Sequence, residues 1–407
     1  MTLALELKTQ ALANARRDGG NDEALALLEA THFPERKTEQ WKYTSLQALA
    51  AGHLNGQAQG NIEHTLPTLG NALVVISNGR LTHHENLPEG VTLRQLPTQE
   101  APTVNGLDTP FAHYNSAVAS QTVVLDVAEN TRVDGPIHIQ LLAASDAPAH
   151  CNPRLVVQLQ RGAEAAIIEH YHSEGPVLSN AVTALITADN AQLTHYRLQS
   201  EQPESLHISS LVLDQQGVSQ IDSYQLMTGS TLRRNDVRAL VNASGAELNM
   251  NGVFAVRGQQ HVDNNLCVEH AVPHCQSNQQ YKGLAADQGK AVFKGRIHIH
   301  KGAKGTNAEL SNKNLLLNKG AEINTKPELE IYNDDVKCAH GTTVGQLDAS
   351  QQFYLQSRGI AASEAKRMLS LGFINELLMA LPHQEVADWA GPWLTEALSD
   401  QALGASQ

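Results

Sequence analysis

Apolar residues recur along this chain with two different periods, and the switch between them marks its parts. From residue 3 to 17 and again from 22 to 31, Leu and Ala return at steps of three and four, the spacing of an amphipathic helix, and Gly19 is a natural stop between the two. An aromatic and charged stretch follows, Phe33-Pro34-Glu35-Arg36-Lys37-Thr38-Glu39-Gln40-Trp41-Lys42-Tyr43-Thr44-Ser45-Leu46, which predicts a short helix or turn clamping those helices to what comes next. From Gly52 to Pro110 the chain is polar and interrupted by Pro67, Pro88, Pro97, Pro102 and Pro110. Only residues 72–76, Ala-Leu-Val-Val-Ile, form a clear strand pattern, so a small, loosely structured lobe and a linker are expected there.

After about residue 115 the period drops to two. Short alternating strands continue to about residue 361 with no convincing long helix. Small-residue turns punctuate them at Gly162-Ala163-Glu164, Asn190-Ala191-Gln192, Gly217-Val218-Ser219 and Gly245-Ala246-Glu247, at steps of 28, 27 and 28 residues. Farther on, Gly302-Ala303-Lys304 and Gly320-Ala321-Glu322 stand 18 apart, which predicts a single shorter coil. Residues 249–256 and 292–299 also match in pattern around an internal glycine. A unit of strands and turns with such a period cannot bury its apolar face alone and must stack on its neighbours. A mainly β fold, built as a solenoid, follows. An ordinary β-sandwich also spaces its strands closely, but the regular Gly-Ala-Glu turns favour the solenoid.

Two helices are expected at the carboxy end, over 362–381 with Pro382 as the stop, and over 385–402 with Trp389 and Trp393. Along the first, Met368, Leu369, Leu371, Phe373, Ile374, Leu377 and Leu378 leave little polar surface. That stripe is too wide for a terminal helix to hide against its own domain, so it predicts a partner.

Charge and composition narrow the function. A formal net charge of -13 argues against a phosphate-backbone partner or an anionic membrane surface, both of which reward clustered Lys and Arg. The first residues show no basic flank before a long apolar run, and nowhere are there about eighteen consecutive apolar residues, so a cytoplasmic location is expected. Cys151, Cys267, Cys275 and Cys338 form no Cys-x-x-Cys pair and are expected as free thiols. Aromatic residues make up only 4%, which suits stacked thin layers better than a core of large rings. No phosphate-binding Gly-x-x-x-x-Gly-Lys loop, Gly-x-Ser-x-Gly elbow or His-Glu-x-x-His helix occurs, so neither nucleotide hydrolysis nor the commonest hydrolase chemistry is expected.

Reactive side chains crowd between Thr325 and Gly345. Leu329 and Ile331 alternate with Glu328, Glu330 and Tyr332, the period of a half-buried strand, and Asn333-Asp334-Asp335 is turn chemistry. Val336, Cys338 and His340 then share one strand face, so a thiolate and an imidazole at that spacing could meet one soft metal centre. The plainer alternative is a buried thiol beside a hydrogen-bonded histidine. A second gathering, Cys267, His270, His274 and Cys275, has metal-ligand types, but Pro273 breaks its strand and no matching second pair exists. It is a weaker metal candidate. His298 and His300 share a face with Lys294 and Arg296, a pattern that fits a solvated or interface face better than a ligand set.

Three separated motifs carry a family resemblance: Arg36-Lys37-x-Glu39-x-Trp41-Lys42-Tyr43-Thr44, the Thr325 to Gly345 block, and Phe353-Tyr354-x-x-Ser357-Arg358-Gly359-Ile360. With these, and the solenoid texture between them, the chain resembles the SufB/SufD family of the Suf iron–sulfur cluster assembly machinery. SufB-type members typically carry a cysteine directly after the Phe-Tyr pair and a Val-Glu-His-Glu segment in place of the Cys338 strand. Leu355 stands at the first position here, so the resemblance is to the other branch, without that cluster thiol. It implies a right-handed parallel β-helix over about 105–348, an amino-terminal helical region with a small lobe over 1–104, and a helical carboxy-terminal domain over 349–407.

The resemblance further implies a non-enzymatic scaffold subunit. It would pair with a SufB-like paralogue through the β-helices and bind a SufC-like ABC ATPase through the terminal helices. Cys338 and His340 become candidate ligands for iron or a nascent iron–sulfur cluster, held transiently and shared with SufB. Whether the isolated chain pairs with itself is left open, as is a purely bracing role in which Cys338 only packs. One departure stands out: Ile360 is followed by Ala361, leaving Ser363 the only nearby hydroxyl cap, so the docking helix is expected to start about two residues late. A carbohydrate-acting β-helix enzyme is disfavoured, because Asp334 and Asp335 sit adjacent in a turn and make a poor acid/base pair.

Overall fold

The computed structural model describes residues 2–18, 22–35, 37–62 and 66–397. The expected stop at Gly19, Arg36 of the first motif and the final residues of the last predicted helix lie outside them.

Helices α1 (Leu3–Arg17) and α2 (Asp22–Ala30) form where the three-and-four spacing places them, and the Thr2 side chain caps α1 by accepting from the Leu5 amide. A third helix, α3 (Pro110–Val118), begins with a proline at its first turn and is capped by Thr109. Leu7, Ala11 and Ala15 of α1, Leu28 of α2 and Phe111 and Tyr114 of α3 pack with Phe33 and Trp41. Together they lie against Leu178, Leu206, Ile208 and Leu232.

Those last four residues belong to a solenoid of two ten-stranded sheets, between which the chain alternates strand by strand from Glu164 onward. Each strand lies parallel to the one a full turn earlier. Gln192 is beside Glu164 on one side and Gln220 on the other, and Gln220 is beside Glu247. All four turn motifs at the regular interval therefore enter the same sheet, here the first sheet, at the same register. The 18-residue spacing has another meaning. Gly302 leads into Asn307–Leu316 of the first sheet and Gly320 into Glu322–Ile331 of the second, so the interval is half a turn and not a short coil. Both corners use the same Gly-Ala chemistry, which is why spacing alone could not tell them apart.

The stretch expected as a loose lobe starts both sheets. Ala72–Ser77 pairs in parallel with Arg132–Ala144, and Val91–Pro97 pairs antiparallel with Gln121–Val127. Alternate residues of every strand face the space between the sheets and form one long core, from Val74 to Ile323. Two internal glycines make room in it. A Cβ on Gly252 would stand 2.2 Å from Tyr281 Cε1, and one on Gly283 would stand 2.3 Å from the Phe254 ring, so each large ring fills a neighbour's missing side chain.

Charges are also enclosed. The Glu169 carboxylate receives His195 Nε2 at 3.2 Å and the hydroxyls of Tyr171 and, from the facing sheet, Thr183, with Arg197 Nε 3.7 Å away. Glu201 is gripped by Arg233 at 2.5 Å and His207 at 2.6 Å.

Beyond the last strand come α4 (Ala349–Ser357), α5 (Ala362–Leu378) and α6 (Gln384–Ala397). The apolar stripe of α5 is largely spent within the chain. Ile374, Leu377 and Leu378, with Leu381 and with Val386, Ala390 and Leu394 of α6, bury against Tyr196, Leu198, Tyr224, Leu226 and Val253. Outward-facing positions of the first sheet are apolar here, and this shelf is what the helix pattern alone could not reveal. Met368 remains exposed and Leu369, Leu371 and Phe373 half-buried. The start of α5 is not delayed: Ala361 occupies the N-cap position without any side-chain cap. None of the described helices is long and apolar enough to cross a membrane.

Candidate ligand site at the open end of the solenoid

The Thr325 to Gly345 block supplies the last strand of each sheet. Glu322–Ile331 ends the second sheet and Lys337–Gln346 the first, so both present an unpaired edge. The turn between them is built as its residues dictate: the Asn333 side chain donates to the Lys301 carbonyl at 2.7 Å, and its oxygen receives the Asp335 amide at 3.0 Å.

Register fixes which way the candidate ligands point. Cys338 lies beside Ala308 and His340 beside Leu310, and both of those neighbours belong to the core between the sheets. Cys338 and His340 thus share the inward face of the terminal rung. Cys338 is half-buried and packs against the core, as do Leu329 and Val336, whereas His340 is exposed. Burial pushes the Cys338 thiol above its usual pKa, so it stays protonated near neutral pH until a metal or cation favours the thiolate. Among the described residues no three His, Cys, Asp or Glu side chains are already drawn together around a metal position. Two donors on this rung therefore need others from outside the chain.

Exposed apolar side chains surround the edge. Ile331, Tyr332 and Val344 lie on or beside the last strands, and Phe353 and Tyr354 of α4 are 73% and 58% exposed. Helix α4 buries no residue of its own. Exposed apolar side chains and unpaired strand edges of this kind are features that a partner surface can cover.

The weaker metal candidates diverge. Cys267 points outward from its strand, where its sulfur accepts from Arg296 Nε at 3.3 Å. His270 points inward to Ser277 at 2.9 Å and is held down to about 4 by burial. Cys275 is enclosed and donates to backbone carbonyls, and His274 is exposed in the following turn. Strand alternation and the turn at Pro273 send the four apart.

The amino-terminal motif runs along the second sheet from its middle toward this end. The Arg234 guanidinium covers Trp41, Thr44 donates to Asp263 at 2.5 Å, and Gln40 receives Lys294 at 2.8 Å. Glu39 pairs with Lys326 on the last strand of the second sheet at 2.7 Å. No periodic pattern marks these contacts, because each joins residues distant along the chain.

Comparison with known proteins matches these features to one class. Residues 141–373 fit the family model described as SUF system FeS cluster assembly, SufBD core domain. SufD of Escherichia coli is 33% identical over 88% of this chain and 87% of its own length. An iron–sulfur cluster assembly SufBD family protein of Synechocystis sp. is 29% identical over 92% and 91%, and one of Mycobacterium tuberculosis 26% identical over 89% and 88%. The chain belongs to the SufBD family of iron–sulfur cluster assembly proteins. Within that family its likeness is to SufD.

Proposed function

We propose that this chain is the scaffold subunit of a cytoplasmic Suf complex that pairs with a SufB-like paralogue and offers Cys338 and His340 to iron or a nascent cluster at the shared interface. The observation that carries the reading is the terminal rung, where one sulfur and one imidazole face the same way between two unpaired strand edges. A paralogue adding its own strands to those edges would supply the missing donors. A SufC-like ATPase would dock on residues 349–407, through Met368 and the half-buried Leu369, Leu371 and Phe373, since the rest of the α5 stripe serves this chain's own packing. ATP-driven closure of the ATPase pair would pull on those helices, shear the strand interface and open the rung to iron. The His340 imidazole offers a borderline nitrogen donor beside softer sulfur. No nucleotide is hydrolysed by this chain in that cycle.

Anaerobic copurification with the two partner subunits tests it. Cys338→Ala and His340→Ala should leave the complex assembled while lowering cluster absorbance several-fold; full absorbance from both variants would refute the ligand role. The bracing alternative draws on the packing of Cys338 against the core, and it predicts that C338A lowers stability while cluster yield stays whole.

A further inference from the structure

Along one register column on the outer face of the first sheet, Leu198, Leu226 and Val253 give way to Lys282, Lys313 and Thr343. The first three belong to the apolar shelf under α5 and α6. Lys282 stands where that shelf ends, and its ammonium is set into α5. Its Nζ donates to the Phe373 carbonyl at 2.7 Å and lies 2.7 Å from Glu376 Oε2, with the centre of the Phe373 ring 5.2 Å away. Lys282 is buried, so these groups take the place of water around its charge. Lys282, with Lys313 adding to it, holds the Glu376 carboxyl below its usual pKa.

A second polar pin holds the turn between α5 and α6: the Tyr196 hydroxyl receives the His383 amide at 3.2 Å and lies 2.8 Å from the His383 Nδ1. The two pins enter the sheet at different depths. The Tyr196 strand, Gln192–Gln199, is five strands from the terminal Lys337–Gln346, whereas the Lys282 strand, Gln276–Ala285, is two strands from it. Between Lys282 and the open end, side chains reinforce the ladder. Asn314 Nδ2 donates to the Thr343 carbonyl at 3.0 Å and to Asn312 Oδ1 at 2.7 Å, and that same oxygen receives the Thr325 hydroxyl at 3.0 Å. Thr343 and Thr325 lie on the last strands of the two sheets, so this buried amide pair fastens both to the strand beneath.

Apolar contact is non-directional: it decides which faces meet and resists sliding along them weakly. A charged hydrogen bond to a main-chain carbonyl is directional and grips the helix itself. Sliding α5 along the shelf would leave the Lys282 ammonium beneath the helix without its acceptors, so helix and strand move together. We propose that Lys282 couples α5 to the terminal rung: displacement of the helix by a docked ATPase enters the first sheet at this residue and reaches the Cys338 and His340 strand through the Asn312–Asn314 pair. Lys282 is a positioning residue, in contact with neither iron nor nucleotide. The inference rests on the reading that ATP-driven closure opens the rung, and it names the point at which that motion crosses from helix to solenoid.

Maleimide labelling of Cys338, read by mass spectrometry in the anaerobic complex with the SufB-like and SufC-like subunits, tests it. In the parent complex, ATP should raise the labelling rate. Lys282→Met keeps an apolar stem against Phe373; it should assemble, hydrolyse ATP at the parent rate and show a rise about fivefold smaller. Lys282→Arg should restore the rise, and Tyr196→Phe, which removes the distant pin, should keep it. Thermal unfolding checks that each variant is folded, and Lys282→Gln serves if Lys282→Met is not. A full rise in the uncharged variant, an equal loss in Tyr196→Phe, or failure of the uncharged variant to bind the ATPase would each overturn the coupling role. No rise in the parent would refute the opening of the rung itself, and the coupling with it.

Discussion

The Arg234 guanidinium lies 4.0 Å from the centre of the Trp41 ring, while Asp236 holds the same guanidinium at 2.7 Å and Asp263 grips its other arm. An amino-terminal segment is thereby fastened to the middle of the solenoid. Trp41 is buried and also packs on Phe111 with centroids 5.7 Å apart. Trp41→Ala removes both contacts and is expected to cost about 3–5 kcal/mol. A urea midpoint that does not move would show that the clamp is dispensable.

The enclosed Glu169 is ionised against its surroundings. Burial opposes the charge, but Arg197 and His195 outweigh it and hold the carboxyl down to about 2. Arg197→Met alone leaves that carboxylate without its cation and should destabilise by about 3–5 kcal/mol. Glu169→Gln in the same chain should recover much of the loss. Equal stability of single and double variants, measured by chemical denaturation, would contradict the pairing.

Acid should weaken the fold well before its carboxylates protonate. Burial holds His138, His150 and His270 down to about 4, and His138 Nδ1 accepts the Leu69 amide at 3.0 Å, which only a neutral ring can do. Unfolded, each titrates near pH 6.5. Between about pH 6.5 and 4 the unfolded chain therefore binds protons that the native one refuses, and stability falls as pH falls; at pH 5 each histidine costs about 2 kcal/mol. Denaturation midpoints at pH 7 and pH 5 measure this. A flat profile would mean the rings are not kept neutral.

Helix α5 starts on Ala361 with no side-chain cap. Ala361→Ser should supply one and raise stability by about 1 kcal/mol, provided the backbone keeps its extended conformation there. A lower melting temperature in A361S would argue against that geometry.

Much of this architecture was legible because the turn residues repeat. Gly162, Asn190, Gly217 and Gly245 all mark one corner, and counting between them measured one full coil before any pairing was known. The count failed at Gly302 and Gly320, where the two corners look alike. That Cys338 and His340 share one face was legible for a simpler reason: they are two apart on one strand. The pairing of Glu39 with Lys326 was not, because it joins residues far apart along the chain, and only the outward apolar shelf around Tyr196 and Val253 explains where Ile374 and Leu377 go.

In-register coils also constrain how such a chain can change length. Excising one whole coil would rejoin every ladder above to every ladder below, whereas excising half of it would deliver each later strand to the wrong sheet. Any one-residue slip within a strand would turn its inward side chains out. Viable insertions and deletions are thus quantised: a few residues at a corner, or a complete coil, and little between.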